Sequence, residues 1–221
     1  MFFPKKMKTV VKQLRQIITT ALFVCAVLPV IAQTKRYTHI QHKDFYQLLK
    51  DANLTFKQPS GCKEISPVNN DYFSFDYAMD IPGKDFEMWL QVKSQRQNWI
   101  SYEHSQYNRG KELANPDSMY KDISQAIATS LAGDTTYLVR TMPPEVLARY
   151  NADAGKSYLV NLLNMRITKH YKYALIIALQ QNHTGTLVAV YFTNEKDPDF
   201  YKDVNRVGSC LKFVPPAPPT D

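Results

Sequence analysis

The run Tyr173-Ala174-Leu175-Ile176-Ile177-Ala178-Leu179 constrains the fold more than any other stretch of the chain. A strand with one solvated face alternates apolar and polar residues. A strand apolar on both faces sits in the middle of a sheet that is covered on both sides. The sequence predicts this strand over 171–180. The turn Asn182-His183-Thr184-Gly185 leads it into a second strand over 186–193, and a third lies upstream over 157–163. Two further segments alternate. Phe73, Phe75, Tyr77 and Met79 share one face of 72–80, and Phe86, Met88, Leu90 and Val92 share one face of 85–93. The turn Ile81-Pro82-Gly83-Lys84 joins them as a hairpin. Trp89 falls on the alternate face of its strand with Glu87 and Gln91, and is expected on the polar side.

Helices are marked by their caps. Asn115-Pro116 opens one that carries Met119, Tyr120, Ile123, Ala126, Ile127 and Leu131 on one face and stops at Gly133. Asp197-Pro198 opens another with Phe200, Tyr201, Val204 and Val207 inward. Shorter helices are expected over 43–52, stopped by Asn53, and after Pro143-Pro144. Short strands are expected over 54–57, 62–65, 136–140 and 211–214. Residues 94–112 show no clean period and are expected to be irregular. These elements sum to an α+β chain, a mostly antiparallel sheet flanked by helices.

Gly155-Lys156-Ser157 imitates the end of a phosphate-binding loop. That loop needs a glycine five residues earlier, where Tyr150 stands, and it runs from strand into helix. Here a helix is expected to lead into a strand, so Asn151, Asp153 and Gly155 are read as turn formers and no nucleotide is expected.

Lys5, Lys6, Lys8, Lys12 and Arg15 precede an apolar run over 17–32 that ends Val30-Ile31-Ala32. A basic front, a short apolar core and small exit residues are the pattern of a secretory signal peptide cut after Ala32. Met7 is an alternative start. Cys25 lies inside the apolar core after Val24, and is read as a small hydrophobe of the leader. The expected division is a leader over 1–32, an N-terminal segment and helix over 33–53, one α+β domain over 54–214 and a Pro-rich tail over 215–221. The formal charge of the whole chain is +7. The five cations of the leader account for most of it and leave +2, so the basicity gives no reason to expect nucleic acid. The location is expected to be periplasmic or secreted, with no membrane span after cleavage. In an oxidising compartment Cys62 and Cys210 either pair or stand as separate buried thiols.

The segments Leu54-Thr55-Phe56-Lys57-Gln58-Pro59-Ser60-Gly61, Phe75-Asp76-Tyr77-Ala78-Met79, Tyr150-Asn151-Ala152-Asp153-Ala154-Gly155 and Tyr171-Lys172-Tyr173 resemble those of small uncharacterised secreted proteins of the Bacteroidetes type. The order of elements is similar to the PsbP-like sandwich. That resemblance implies binding and accessory roles and brings no catalytic residues with it.

The chain has no HExxH, GxSxG or CxxC pattern. His39 and His42 are too few for a metal site and are read as surface histidines. No metal or cofactor is expected. The candidate interaction segment is 99–109, with Trp99, Tyr102, His104, Tyr107 and Arg109, extended by Trp89. A non-catalytic role with an envelope protein or component as partner is expected. The alternative is a small hydrolase in which His104 works with Ser101, Ser105 or Glu103.

Overall fold

The computed structural model describes residues 44–69, 73–107 and 113–215. The leader, Cys25, His39, His42, Arg109 and the tail beyond Pro215 lie outside those residues. Two compact units divide the chain at 44/45, and the architecture below is that of the second.

Seven strands form one sheet, ordered β2-β3-β4-β8-β7-β6-β5 and antiparallel at every pairing. They are β2 (Lys63–Ile65), β3 (Tyr77–Asp80), β4 (Phe86–Ser94), β5 (Leu138–Thr141), β6 (Ala154–Asn161), β7 (Tyr173–Gln181) and β8 (Gly185–Thr193). A separate two-stranded sheet pairs β1 (Leu54–Phe56) with β9 (Leu211–Phe213). The apolar run that constrains the fold is β7, with β6 on one side and β8 on the other.

The central strands of the sheet are buried on both faces, while the edge strand β5 is exposed. On one face, Tyr77, Met79, Met88, Leu90, Leu179, Leu187 and Tyr191 pack with Phe45 and Leu49 of a helix over 44–51 (α1). The same layer holds Leu211 and Phe213, and Phe200, Val204 and Val207 of helix α5 (Pro198–Gly208). On the other face, Phe75, Trp89, Tyr158, Ile176, Val190 and Phe192 pack under Tyr120, Ile127 and Leu131 of α3 (Met119–Ala132). The result is an α+β sandwich with helices on either side of a central sheet.

The capping signals act where the sequence puts them. Asn115 Oδ1 accepts from Asp117 N at 2.9 Å and opens a 3-10 turn, Pro116–Ser118, that runs into α3. Gly133 ends α3 at φ 76°, a left-handed conformation that costs glycine least. Asp197 Oδ1 accepts from Phe200 N at 2.7 Å and opens α5. Within α3, Ser124 is buried where Ala126 was expected. Its Oγ lies 2.6 Å from the Tyr120 carbonyl and 3.0 Å from the Tyr158 hydroxyl, so its polar atom is satisfied. Tyr201 of α5 faces solvent instead of the core.

Three expectations are corrected, and the alternative left open for the cysteines is decided. Trp89 is not on a polar face: its exposure is 0%, between Phe75 and Phe192 with ring centroids at 5.3 and 4.5 Å. The reason is the second layer, which buries Glu87 and Gln91 as well. Residues 96–107 are not irregular but form α2 (Arg96–Tyr107). This helix buries none of its residues, so it leaves no apolar period in the sequence. Local bonds hold it instead, with Trp99 Nε1 donating to Glu103 Oε1 at 3.0 Å and Ser101 Oγ to the Gln97 carbonyl at 3.0 Å. Gly155 is not in the turn. Helix α4 (Pro144–Tyr150) ends at Asn151, at φ 52°, and β6 begins at Ala154. A Cβ on Gly155 would meet Met142 Sδ at 2.9 Å and the Ala178 carbonyl at 3.0 Å, so the glycine lets two strands and a side chain close up. Cys62 and Cys210, finally, are free thiols. Both pack against the same apolar layer, each in a turn closed by backbone bonds, Cys62 N to Pro59 O at 3.3 Å and Cys210 N to Val207 O at 3.2 Å.

Candidate functional site

Helix α2 leaves the sheet directly. Ser94, the last residue of β4, pairs with Gly185, and the next residue, Gln95, donates its backbone N–H to Thr184 O at 2.8 Å. The helix therefore starts against the β7–β8 hairpin. That geometry brings Trp99, one turn in, onto His183 at the tip of the hairpin. The two rings stack at 3.6 Å with 17° between planes, and Tyr102 lies 5.3 Å from Trp99 on the next turn. His183 has φ 61°, a left-handed conformation enriched in Asn, Asp and His among residues with a side chain.

The third wall is the turn ahead of α3. Asp117 Oδ1 accepts from His183 N at 2.7 Å, and Asp117 Oδ2 lies 3.3 Å from His183 Nε2. One carboxylate thus fixes both the backbone and the ring of the hairpin residue. The Asp117 side chain is 15% exposed and the His183 side chain 56%, so the imidazole opens to solvent while its anchor is largely covered.

A line of buried polar side chains runs from Asp117 into the sheet. Gln180 Nε2 donates to Asp117 Oδ1 at 3.2 Å and to Gln181 O at 2.9 Å. Thr186 Oγ1 donates to Gln180 Oε1 at 2.5 Å, and Gln95 Nε2 donates to Thr186 Oγ1 at 3.4 Å. Gln95 Oε1 accepts from Asn98 Nδ2 at 2.8 Å, back on α2. Gln95, Thr186 and Gln180 are all at or below 1% exposure. Buried polar groups hold a unique geometry when each is satisfied, and here the partners lie on four different elements. The network positions the Trp99–His183 stack.

The residues expected at the site separate into three groups. Trp99 and Tyr102 come together, half-buried. His104 and Tyr107 lie on exposed positions of α2, Tyr107 at 87%, and Arg109 is outside the described residues. Trp89 is in the core. Ser101 Oγ and Ser105 Oγ donate to carbonyls of their own helix, Gln97 and Tyr102. Glu103 accepts from Trp99. None of these three is bonded to His104, which has no hydrogen-bond or ionic partner among the described residues.

Asp117, Gln180, Thr186 and Gln95 were not foreseen as site residues. The available signal was weak: two glutamines ending an otherwise apolar strand, and an aspartate beside a helix cap that reads equally well as capping. Among the described residues no three His, Cys, Asp or Glu side chains gather as metal ligands, and no helix is long and apolar enough to cross a membrane. No protein-family model matches the sequence, and no curated protein matches it.

Proposed function

We propose that the chain is an exported, non-catalytic binding or accessory protein of the cell envelope, and that an envelope protein docks on α2 and the β7–β8 hairpin. The single observation that carries this reading is the Trp99–His183 stack, held outside the core by a carboxylate and a buried polar network. Aromatic side chains anchored at the rim of a rigid scaffold are the usual centres of protein recognition. Helix α2 adds support. It buries no residue of its own, yet presents Ile100 at 46% and Tyr107 at 87% exposure beside Trp99 and Tyr102. A helix without a buried face draws little stability from its own fold, and a partner would supply one. Export rests on the basic, apolar and small-residue leader. The hydroxyls and carboxylate that a hydrolase built on His104 would need are bonded elsewhere, which favours binding over hydrolysis.

The test is capture of partners from envelope extracts with the native chain and with a Trp99→Ala/Tyr102→Ala variant whose fold is checked by circular dichroism. Loss of a specific partner from the folded variant is expected. Recovery of the same partners by both proteins would overturn the assignment. Hydrolysis of an ester, peptide or glycoside by the native chain and not by His104→Ala would replace it with the enzymatic alternative.

A further inference from the structure

The opposite end of β7 carries a second, independent concavity. A cleft of about 650 Å³ opens where β6 ends and β7 begins, lined among others by Asn161, Asn164, His170, Lys172, Tyr173 and Lys196. Its volume falls in the range of small-molecule sites, roughly 300–1,000 Å³. The nine residues of β7 separate it from the hairpin of the proposed docking surface by about 30 Å at the usual strand rise.

Its charge is one-sided. Lys172 and Lys196 are exposed, and among the described residues no carboxylate lines the cleft. Lys196 Nζ sits 4.0 Å from the centre of the Tyr173 ring, which holds the ammonium at the wall without neutralising it. A buried acid that reaches the cleft wall through Tyr171 is already engaged. Glu87, at 7% exposure, accepts from Lys169 Nζ at 2.7 and 2.9 Å and from Trp89 Nε1 at 3.0 Å. Glu195, next to Lys196 in sequence, lines a different hollow with Asp85, Asp197 and Asp199. Among the described residues the acids thus line one depression, where Lys84 is paired with Asp203, and Lys172 and Lys196 line the other.

The backbone at the cleft is strained. Lys169 and His170 are consecutive residues with side chains in the left-handed region, at φ 51° and 62°. Such conformations cost energy and persist where the surroundings impose them, often at ligand sites. Here they return the chain so that His170 Nδ1 meets Asn164 Oδ1 at 2.5 Å, and Leu162 N bonds to Lys172 O at 2.9 Å across the cleft floor. With Asn164 Oδ1 as acceptor, the Nδ1 atom carries the proton, leaving Nε2 as the other polar atom of the ring.

We propose that this cleft binds a phosphate monoester. Two lysines are point-charge donors suited to a tetrahedral dianion, whereas a planar carboxylate is matched best by a guanidinium fork, and no arginine lines the cleft among the described residues. The side-chain amides of Asn161 and Asn164 supply neutral donors and acceptors for the ester oxygen or neighbouring hydroxyls. The volume exceeds what a bare phosphate fills, so the group it carries is of sugar or glycerol size. A soluble sugar phosphate and a phospholipid headgroup share this chemistry.

Calorimetric titration of the full chain with glucose 6-phosphate, inorganic phosphate and unphosphorylated glucose tests the soluble form. Sedimentation with phosphatidylcholine vesicles, with and without about one-fifth phosphatidic acid, tests the lipid form. Binding is expected to one phosphomonoester source, weakening with added salt. Lys172→Gln and Lys196→Gln are each expected to weaken it about tenfold, and both together to abolish it. Lys121→Gln, a charge change on α3 outside the cleft, is expected to leave it intact. Both cleft lysines are exposed, so the variants are expected to melt as the parent does. The proposal is overturned by absence of binding to every phosphate probe up to about 10 mM. Undiminished binding in the double variant, or inorganic phosphate binding as tightly as the sugar phosphate, also overturns it.

Discussion

Replacing Asp117 by Ala tests whether the carboxylate organises the α2–hairpin surface. Asp117 Oδ1 holds two donors, His183 N at 2.7 Å and Gln180 Nε2 at 3.2 Å. The His183 amide lies at an exposed turn and can return to water, so its loss costs little. Gln180 is 0% exposed, and one of its two N–H bonds would be left in the dry interior while the other still reaches Gln181 O at 2.9 Å. A stranded buried donor costs about 1–3 kcal/mol. With a small contribution from the lost charge-assisted bond at His183, the expected destabilisation is about 2–3 kcal/mol. For a domain of this size that lowers Tm by about 5–10 °C. Asp117→Asn keeps an oxygen where Oδ1 stands and is expected to cost less than about 1 kcal/mol. The assay is thermal and urea unfolding of both variants, each also made in a Gln180→Leu background. If the penalty arises at the Gln180 amide, Asp117→Ala costs much less once that amide is gone, and the cycle shows a coupling above about 1 kcal/mol. Equal costs for Ala and Asn, or additivity with Gln180→Leu, would refute the reasoning.

Two other measurements follow from buried titratable groups. Burial raises the Asp76 carboxyl above its usual range and outweighs the bond from Val92 N and the nearby Lys93 cation. A carboxyl whose folded value is raised contributes stability below its unfolded value, near about 3.9, and loses it as pH rises through the folded value. Asp76→Asn retains an acceptor for Val92 N, so it is expected to be at least as stable as the parent at pH 7, with any advantage gone below about pH 4. Urea titrations at the two pH values showing the opposite order would contradict this. Burial also pushes the Cys210 thiol up to about 12 and raises Cys62, where the Arg206 cation acts in the opposite sense. Iodoacetamide is therefore expected to label the native chain slowly, Cys62 before Cys210. Peptide mass spectrometry finding Cys210 modified first would show that the buried thiol is accessible.

The sheet was legible because its determinants are local and loud. An unbroken apolar strand, the alternating segment of β4, and Asn115 and Asp197 ahead of prolines each leave a pattern in a short window. Phe73 and Phe75, expected on one face with Tyr77 and Met79, pack in the opposite layer because β3 begins only at Tyr77. Helix α2 was not legible because no tertiary face imposes a period on it, and its stabilising bonds are side chain to side chain and side chain to carbonyl within the helix. Trp89 was misplaced for the converse reason. Alternation tells the two faces of a strand apart, and it does not tell whether the second face also meets a layer. Trp99 and Tyr102 stood out by residue type alone. Their partner His183 lies 84 positions from Trp99, and Asp117 is separated from His183 by 66 positions, so nothing in a local reading joins them.

The two-sided burial of β7 and β8 carries one more consequence. Where one face of a hairpin is wet, sliding a strand by one residue exposes its apolar side chains, and the hydrophobic effect alone forbids the slip. Here both faces are oily, and a shifted alignment would exchange one greasy surface for another at little cost. The alignment must be set by polarity. Gln180 stands directly across from Thr186, and their side chains share a hydrogen bond inside the protein. A one-residue shift in either direction would set the glutamine amide against Gly185 or Leu187, neither of which has a polar side chain. The two polar residues thus act as the key that admits a single alignment of the central strands.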